Sequence, residues 1–137
     1  MTKILFCSHG RMASGMKSSL EILVGKTDSL ETFDAYVEEN TDIACQIKSF
    51  FERYPDENKV LLSDIYGGSV NQAMYQFADR ENTTLITGVN LPLLLEMVVA
   101  ANNDLLDEDR IKAIVKEAGD SIKIVEVKNT VTEEDFF

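Results

Sequence analysis

The chain reads as an α/β protein: a parallel sheet with helices on both faces. Three observations predict this. Short apolar runs, such as Ile4-Leu5-Phe6-Cys7 and Val60-Leu61-Leu62-Ser63, have the length and composition of buried strands. Each is followed by a break and then by apolar residues at helical spacing, and repeated strand–helix units call for parallel strands joined by right-handed crossovers. The length of 137 residues, with 45% hydrophobic residues, suits one domain around one core. No internal repeat or low-complexity tract interrupts the pattern.

The elements follow in order. Residues 4–7 form the first strand. The first helix has Ala13, Met16, Leu20, Leu23 and Val24 on one face and closes at Gly25. The second strand spans residues 31–37; as the most polar strand it belongs near a sheet edge. Asn40 or Thr41 is placed to cap the second helix, whose apolar face is Ile43, Ile47, Phe50, Phe51 and Tyr54, and Pro55 stops it. Residues 60–63 form the third strand. The third helix carries Val70, Ala73, Met74, Phe77 and Ala78. Residues 84–87 form the fourth strand. Asn90 can cap the fourth helix, with Pro92 in its first turn, where a missing N–H does no harm. Leu91, Leu94, Leu95, Val98 and Val99 make its buried face. A fifth helical pattern of Ile111, Ile114, Val115 and Ala118 ends near Gly119. Residues 122–128 read as a last strand. Residues 129–137 read as an acidic, loose tail or linker remnant.

Parallel strands point their carboxyl ends the same way, and open α/β sheets place ligand sites at that edge. Three strand-to-helix turns therefore converge: Ser8-His9-Gly10-Arg11, Asp64-Ile65-Tyr66-Gly67-Gly68-Ser69 and Gly88-Val89-Asn90. His9 is the one histidine in the chain. An imidazole beside glycine-rich helix N-termini, which bind anions through unpaired N–H groups, suggests phosphoryl transfer to or from the ring. That chemistry needs one ring nitrogen free to attack and the other held by an acceptor. Asp64 is the candidate acceptor. The Gly67 and Gly68 amides and the Ser69 hydroxyl are candidates to hold phosphoryl oxygens. Ser8, Gly10, Arg11, Tyr66 and Asn90 are candidates for a supporting shell. The bland readings weigh against each signal singly: a lone histidine on a turn is more often incidental, Asp64 and Asn90 suit helix caps, and Arg11 suits a solvated surface. A Cys7–His9 nucleophile pair is weaker than a buried strand cysteine.

The formal charge of −11 argues against nucleic acid, whose phosphates demand Lys and Arg. It fits a basic protein partner. Cys7 and Cys45 read as free thiols in a reducing cytoplasm, with no signal peptide at the start. No apolar run reaches the roughly 18 residues of a membrane helix. Nothing in the pattern calls for a cofactor or a metal.

Taken together, Ser8-His9-Gly10 with Ala13, Gly15 and Met16, then Asp64-Ile65-Tyr66-Gly67-Gly68-Ser69 with Asn71 and Ala73, then Gly88-Val89-Asn90-Leu91-Pro92, resemble the IIA component of mannose-family permeases of the phosphotransferase system (PTS). The similarity covers roughly residues 2–128, nearly the whole chain, and implies one domain over residues 1–128. It implies a cytoplasmic phosphocarrier: His9 takes a phosphoryl group from the phosphocarrier protein HPr and passes it to a IIB component during sugar uptake. It implies Asp64 as the hydrogen-bond partner of His9 and Gly67-Gly68-Ser69 as the family's turn. Relatives carry Trp where this chain has Tyr66; the aromatic character is kept, and a partner contact is the property such a change can alter. The resemblance also implies a homodimer whose final antiparallel strand, residues 122–128 here, is exchanged between subunits. It implies a separate IIB, and contact with the membrane only through a IIC/IID permease.

Other families share parts of this pattern. A histidine phosphatase requires Arg before its first His and a second His; this chain has Ser8 and no other histidine. The IIA-like phosphotransfer subunit of dihydroxyacetone kinase shares the His9 logic. A regulatory binding module of the same fold would keep the turns without the transfer. A dinucleotide site lacks its Gly-x-Gly-x-x-Gly turn.

Overall fold

Four parallel strands, in the order β2-β1-β3-β4, form the centre of the computed structural model, which describes residues 1–39 and 41–127. The elements are β1 (Thr2–His9), α1 (Met12–Val24), β2 (Leu30–Ala35), α2 (Ile43–Arg53), β3 (Asn58–Ser63), α3 (Ser69–Tyr75), β4 (Thr83–Thr87), α4 (Leu91–Asn102) and α5 (Glu108–Asp120).

The strand order dictates the layers. The chain steps from β1 outward to β2, then back across β1 to β3 and on to β4. Right-handed crossovers in opposite directions put their helices on opposite faces. Accordingly Ile4, Phe6, Val60 and Leu62 pack with Ala13, Leu20, Leu94, Met97 and Ile114 from α1, α4 and α5. Leu5, Cys7, Ala35 and Leu61 pack with Ile47, Phe50, Phe51, Val70 and Met74 from α2 and α3. The alternation along β1 and β3 is the two-residue period of a sheet covered on both sides. Direction reverses between β1 and β3, so their carboxyl ends flank the topological switch point, where such sheets bind ligands.

β2 lies at the sheet edge, as its polarity indicates, but stops at Ala35 rather than residue 37. Tyr36 takes a left-handed backbone, φ 67°, which ends the extended run. The cap of α2 is Asp42, whose Oδ1 accepts from Ala44 N at 3.0 Å, so Thr41 does not fill that role; the Asn40 alternative lies outside the described residues. Asn90 caps α4, with Pro92 in its first turn. The third helix ends at Tyr75; residues beyond it close shorter turns, Phe77 N donating to Met74 O at 2.9 Å.

Several inward-facing assignments change. Leu23, Val99 and Val115 are exposed, whereas Leu93 and Met97 are buried in α4. Residues 122–127 form no strand in the single chain, and Ile122, Ile124, Val125 and Val127 are all exposed. A strand exists only against a ladder partner, and none of the described residues supplies one. Residue 128 and the acidic tail lie outside the described residues. Among those described, no helix is long and apolar enough to cross a membrane.

Candidate functional site

The site starts from the way β1 ends. His9 pairs with Ala35 of β2, and Gly10 N donates to Ala35 O at 2.9 Å. Gly10 then turns the chain with φ +61°, a conformation that costs glycine least. Ser8 is buried one residue earlier; its Oγ accepts from Ala13 N at 2.7 Å and donates to Gly10 O at 3.1 Å. Ser8 thus caps α1 from inside the strand. Asp34 takes the next amide: its Oδ1 accepts from Ser14 N at 3.0 Å and its Oδ2 from Ser14 Oγ at 2.5 Å. Arg11, at the cap position itself, is exposed and gives no side-chain cap.

These contacts change the anion argument. The Ala13 and Ser14 amides at the start of α1 are taken by Ser8 and Asp34, which leaves fewer N–H groups there for a phosphate. The same holds at α4, where Asn90 Oδ1 accepts from Leu93 N at 3.0 Å. Asn90 Nδ2 also donates to Ala118 O of α5 at 2.9 Å. Asn90 is therefore a cap and an inter-helix tie, with both ends of its amide engaged by α4 and α5.

At the switch point the turns after β1 and β3 do meet. His9 Nδ1 lies 2.8 Å from Asp64 Oδ2. The same oxygen accepts from His9 N at 2.8 Å, and Oδ1 accepts from Ile65 N at 3.0 Å. Asp64 is well shielded, with 9% of its side chain exposed against 41% for His9. Burial alone would raise the Asp64 pKa; the backbone and side-chain bonds from His9, and the ring's charge, outweigh it and hold the carboxyl below its ordinary 3.8. An ionised Asp64 only accepts, so Nδ1 carries a ring proton, and in the neutral ring the Nε2 lone pair is free. Nε2 is 3.2 Å from Ser69 Oγ.

The glycines of this turn have separate jobs. Gly67 has φ +75°, and its carbonyl accepts from Gln72 Nε2 at 2.9 Å. Gly68 has an ordinary φ but no room: a Cβ there would lie 2.9 Å from Ile65 Cγ2 and 3.2 Å from His9 Cε1. Ile65 and Tyr66, in the same turn, are exposed. Cys7 is fully buried, and burial, with the nearby Asp64 charge, pushes its thiol far above the ordinary range. That removes a thiolate from the site.

Sequence reasoning missed Tyr36. Its hydroxyl lies 2.5 Å from Ser69 Oγ, and its ring centroid is 5.4 Å from that of His9. The signal was available: β2 is parallel to the others, so its end reaches the same edge.

With the geometry in place, comparison with known proteins is informative. The profile of the EIIA-man family, described as PTS system fructose IIA component, matches residues 3–115. The chain is 30% identical over 99 residues to the sorbose-specific EIIA component of Klebsiella pneumoniae, covering 72% of this chain and 73% of the relative. It is 26% identical over 128 residues to the mannose-specific EIIAB component of Escherichia coli K12, covering 91% of this chain but only 40% of that longer protein. Among solved structures, a putative phosphoenolpyruvate-dependent sugar PTS permease from Klebsiella pneumoniae superposes with TM-score 0.82 at 32% identity, over 90% of each chain. The mannose/sorbose-specific IIA subunit of Enterococcus faecalis shares the fold with TM-score 0.81 at 16% identity, over 95% of this chain and 98% of that one.

Proposed function

This chain belongs to the EIIA-man family of PTS IIA components, and on that premise we propose that it is a phosphocarrier: His9 accepts a phosphoryl group from phospho-HPr at Nε2 and passes it to a IIB component. The observation that carries this reading is the 2.8 Å contact between Nδ1 and a carboxylate that also accepts the His9 backbone amide. It fixes ring orientation and tautomer before any donor arrives, leaving the nucleophilic nitrogen outward.

The transfer balances simply. The Nε2 lone pair forms the bond to phosphorus. The bond joining phosphorus to the donor breaks, and its electron pair leaves with the donor. Nδ1 keeps its proton, and Asp64 offsets the positive charge that the ring gains. The Ser69 hydroxyl turns from Nε2 to a phosphoryl oxygen, while Gly67 and Gly68 let the backbone lie close. Passing the group to IIB runs the same steps backward at Nε2. Positioning and charge stabilisation are most of what phosphoryl transfer asks of a protein.

Exposed Ile65 and Tyr66, in the turn that carries Asp64, give both partners an apolar contact, and the net charge of −11 attracts basic faces. The chain works in the cytoplasm as a homodimer, with residues 122–127 crossing to pair antiparallel on the other subunit. The exposure of Ile122, Ile124, Val125 and Val127 in the isolated chain supports this, since such a segment gains by pairing. Sedimentation of the full chain reads the dimer, and Ile124→Asp with Val127→Asp should yield monomer.

The defining experiment is intact mass after incubation with phosphoenolpyruvate, enzyme I and HPr. One added phosphoryl group is expected, acid-labile and base-stable, dependent on HPr and absent in His9→Gln. A folded wild-type protein that takes up nothing would refute the carrier and leave a binding module.

A further inference from the structure

Tyr36 occupies a backbone conformation that tyrosine rarely takes, φ 67°. Its consequence is directional. Ala35 packs in the α2–α3 layer, so a Tyr36 that continued the strand would point to the α1 side. His9 is the register partner of Ala35, and paired residues on parallel strands share a face. The left-handed turn brings the Tyr36 ring back to the His9 side, at a centroid distance of 5.4 Å and a tilt of 37°.

With the ring neutral, as attack on phosphorus requires, the hydrogen bonds admit one consistent assignment. Asp64 requires the ring proton on Nδ1. Nε2 is therefore an acceptor, and the Ser69 hydroxyl 3.2 Å away donates to it. The Ser69 oxygen is left to accept, and the Tyr36 hydroxyl at 2.5 Å is its donor. The result is a chain from Tyr36 through Ser69 to the attacking nitrogen. Resting on the phosphocarrier reading of His9, we infer that Tyr36 is a positioning residue for phosphoryl transfer, acting through Ser69. When Nε2 attacks phosphorus, the Ser69 hydrogen leaves the nitrogen for a phosphoryl oxygen. The Tyr36 bond holds the serine oxygen in place while it turns and strengthens its donation, as linked hydrogen bonds do. The phosphoryl group comes from phospho-HPr or another P–N donor, and the broken bond's electrons leave with that donor.

Tyr36→Phe removes only the hydroxyl. It is compared with wild type, Ser69→Ala and the double variant, each first shown to keep the wild-type melting temperature within a few degrees. Two donors are used: phospho-HPr, and phosphoramidate, which needs no docking. The expected result is a maximal rate about fivefold lower for Tyr36→Phe with either donor, with KM for phospho-HPr unchanged and no further loss on adding Tyr36→Phe to Ser69→Ala. Equal rates for Tyr36→Phe and wild type would overturn the inference. So would an effect that persists in the Ser69→Ala background, or one seen only as a raised KM for phospho-HPr, which would make Tyr36 a docking residue. Uptake from phosphoramidate alone, slowed in Tyr36→Phe, would uphold the inference while refuting HPr as the donor. A wild type inert to both donors would refute both readings.

Discussion

Replacing Asp64 by Asn tests the centre of the mechanism, because the amide cannot satisfy the geometry that the carboxylate satisfies. Three N–H groups converge on Asp64: His9 N and Nδ1 at one oxygen, both at 2.8 Å, and Ile65 N at the other, at 3.0 Å. An asparagine has one acceptor end and one donor end. If its oxygen faces His9, its NH2 faces the Ile65 amide, and one donor is stranded. If its NH2 faces His9, the His9 backbone amide is stranded and Nδ1 must become an acceptor. The proton then moves to Nε2, which can no longer attack. Either way the charge opposite the ring is gone. Losing one charge-assisted bond is worth about 1.5–3 kcal/mol, or roughly 10- to 100-fold in rate. Rapid-quench transfer of labelled phosphate from phospho-HPr to Asp64→Asn, at matched folded concentration, reads this directly. Nitrogen NMR of the ring should show that the Nδ1–H form no longer dominates. A variant that transfers within twofold of wild type, with the tautomer unchanged, would refute the role given to Asp64.

Other outcomes follow from the same geometry. Gly68→Ala should slow transfer about tenfold while changing stability by less than about 1 kcal/mol; Ile65 is exposed and can swing aside, but the ring moves only by lengthening its bond to Asp64, so NMR of the ring should shift with the rate. Asn90→Ala loses a cap and the tie to Ala118, about 2 kcal/mol in urea unfolding, with transfer per folded molecule unchanged; a slowed reaction would return Asn90 to the site. Because the Asp64 pKa is lowered, its stabilising contribution is complete above the ordinary 3.8 and is lost as pH falls through the lowered value. The stability gap between wild type and Asp64→Asn should thus be flat near neutrality and shrink below about pH 4, as urea titrations at stepped pH would show; a gap widening toward acid would reverse the sign. Transfer from HPr should lose kcat/KM between about 0.1 M and 1 M salt, as the screening length falls from about 10 to 3 Å; a rate indifferent to salt would remove the acidic surface from recruitment.

Periodicity alone carried most of the fold. It located every strand of the sheet and each of the five helices, because a two-sided parallel sheet leaves its strands apolar and its helices amphipathic. It erred where burial depends on neighbours. Leu23, in the last turn of α1, keeps helical spacing yet finds nothing to cover it. Residues 122–127 have the composition of a strand, but the pairing that makes a strand belongs to whatever edge they meet.

The candidate site was legible to the extent that its residues lie at strand ends. Asp64, Ser69 and Gly68 reach His9 because β1 and β3 are adjacent and parallel; the alternation of elements implies the parallel direction, and the strand order supplies the adjacency. Tyr36 was hidden by one misplaced boundary: with the second strand read through residue 37, its end fell beyond the tyrosine, and three strand ends were counted instead of four. Ser8, Asp34 and Asn90 show a different limit. Serine, aspartate or asparagine beside a glycine at a helix start can leave amides open for an anion or plug them, and the residue types are the same in both cases. Only the distances decide. At α1 and α4 the plug is within 3.0 Å of the amide. At α3 the cap position holds Gly68, which has no side chain to offer, and the first hydroxyl, on Ser69, is turned to His9. The turn after β3 thus combines a helix start that no side chain caps with the Asp64 carboxylate beside His9, in a single loop packed against a single strand end.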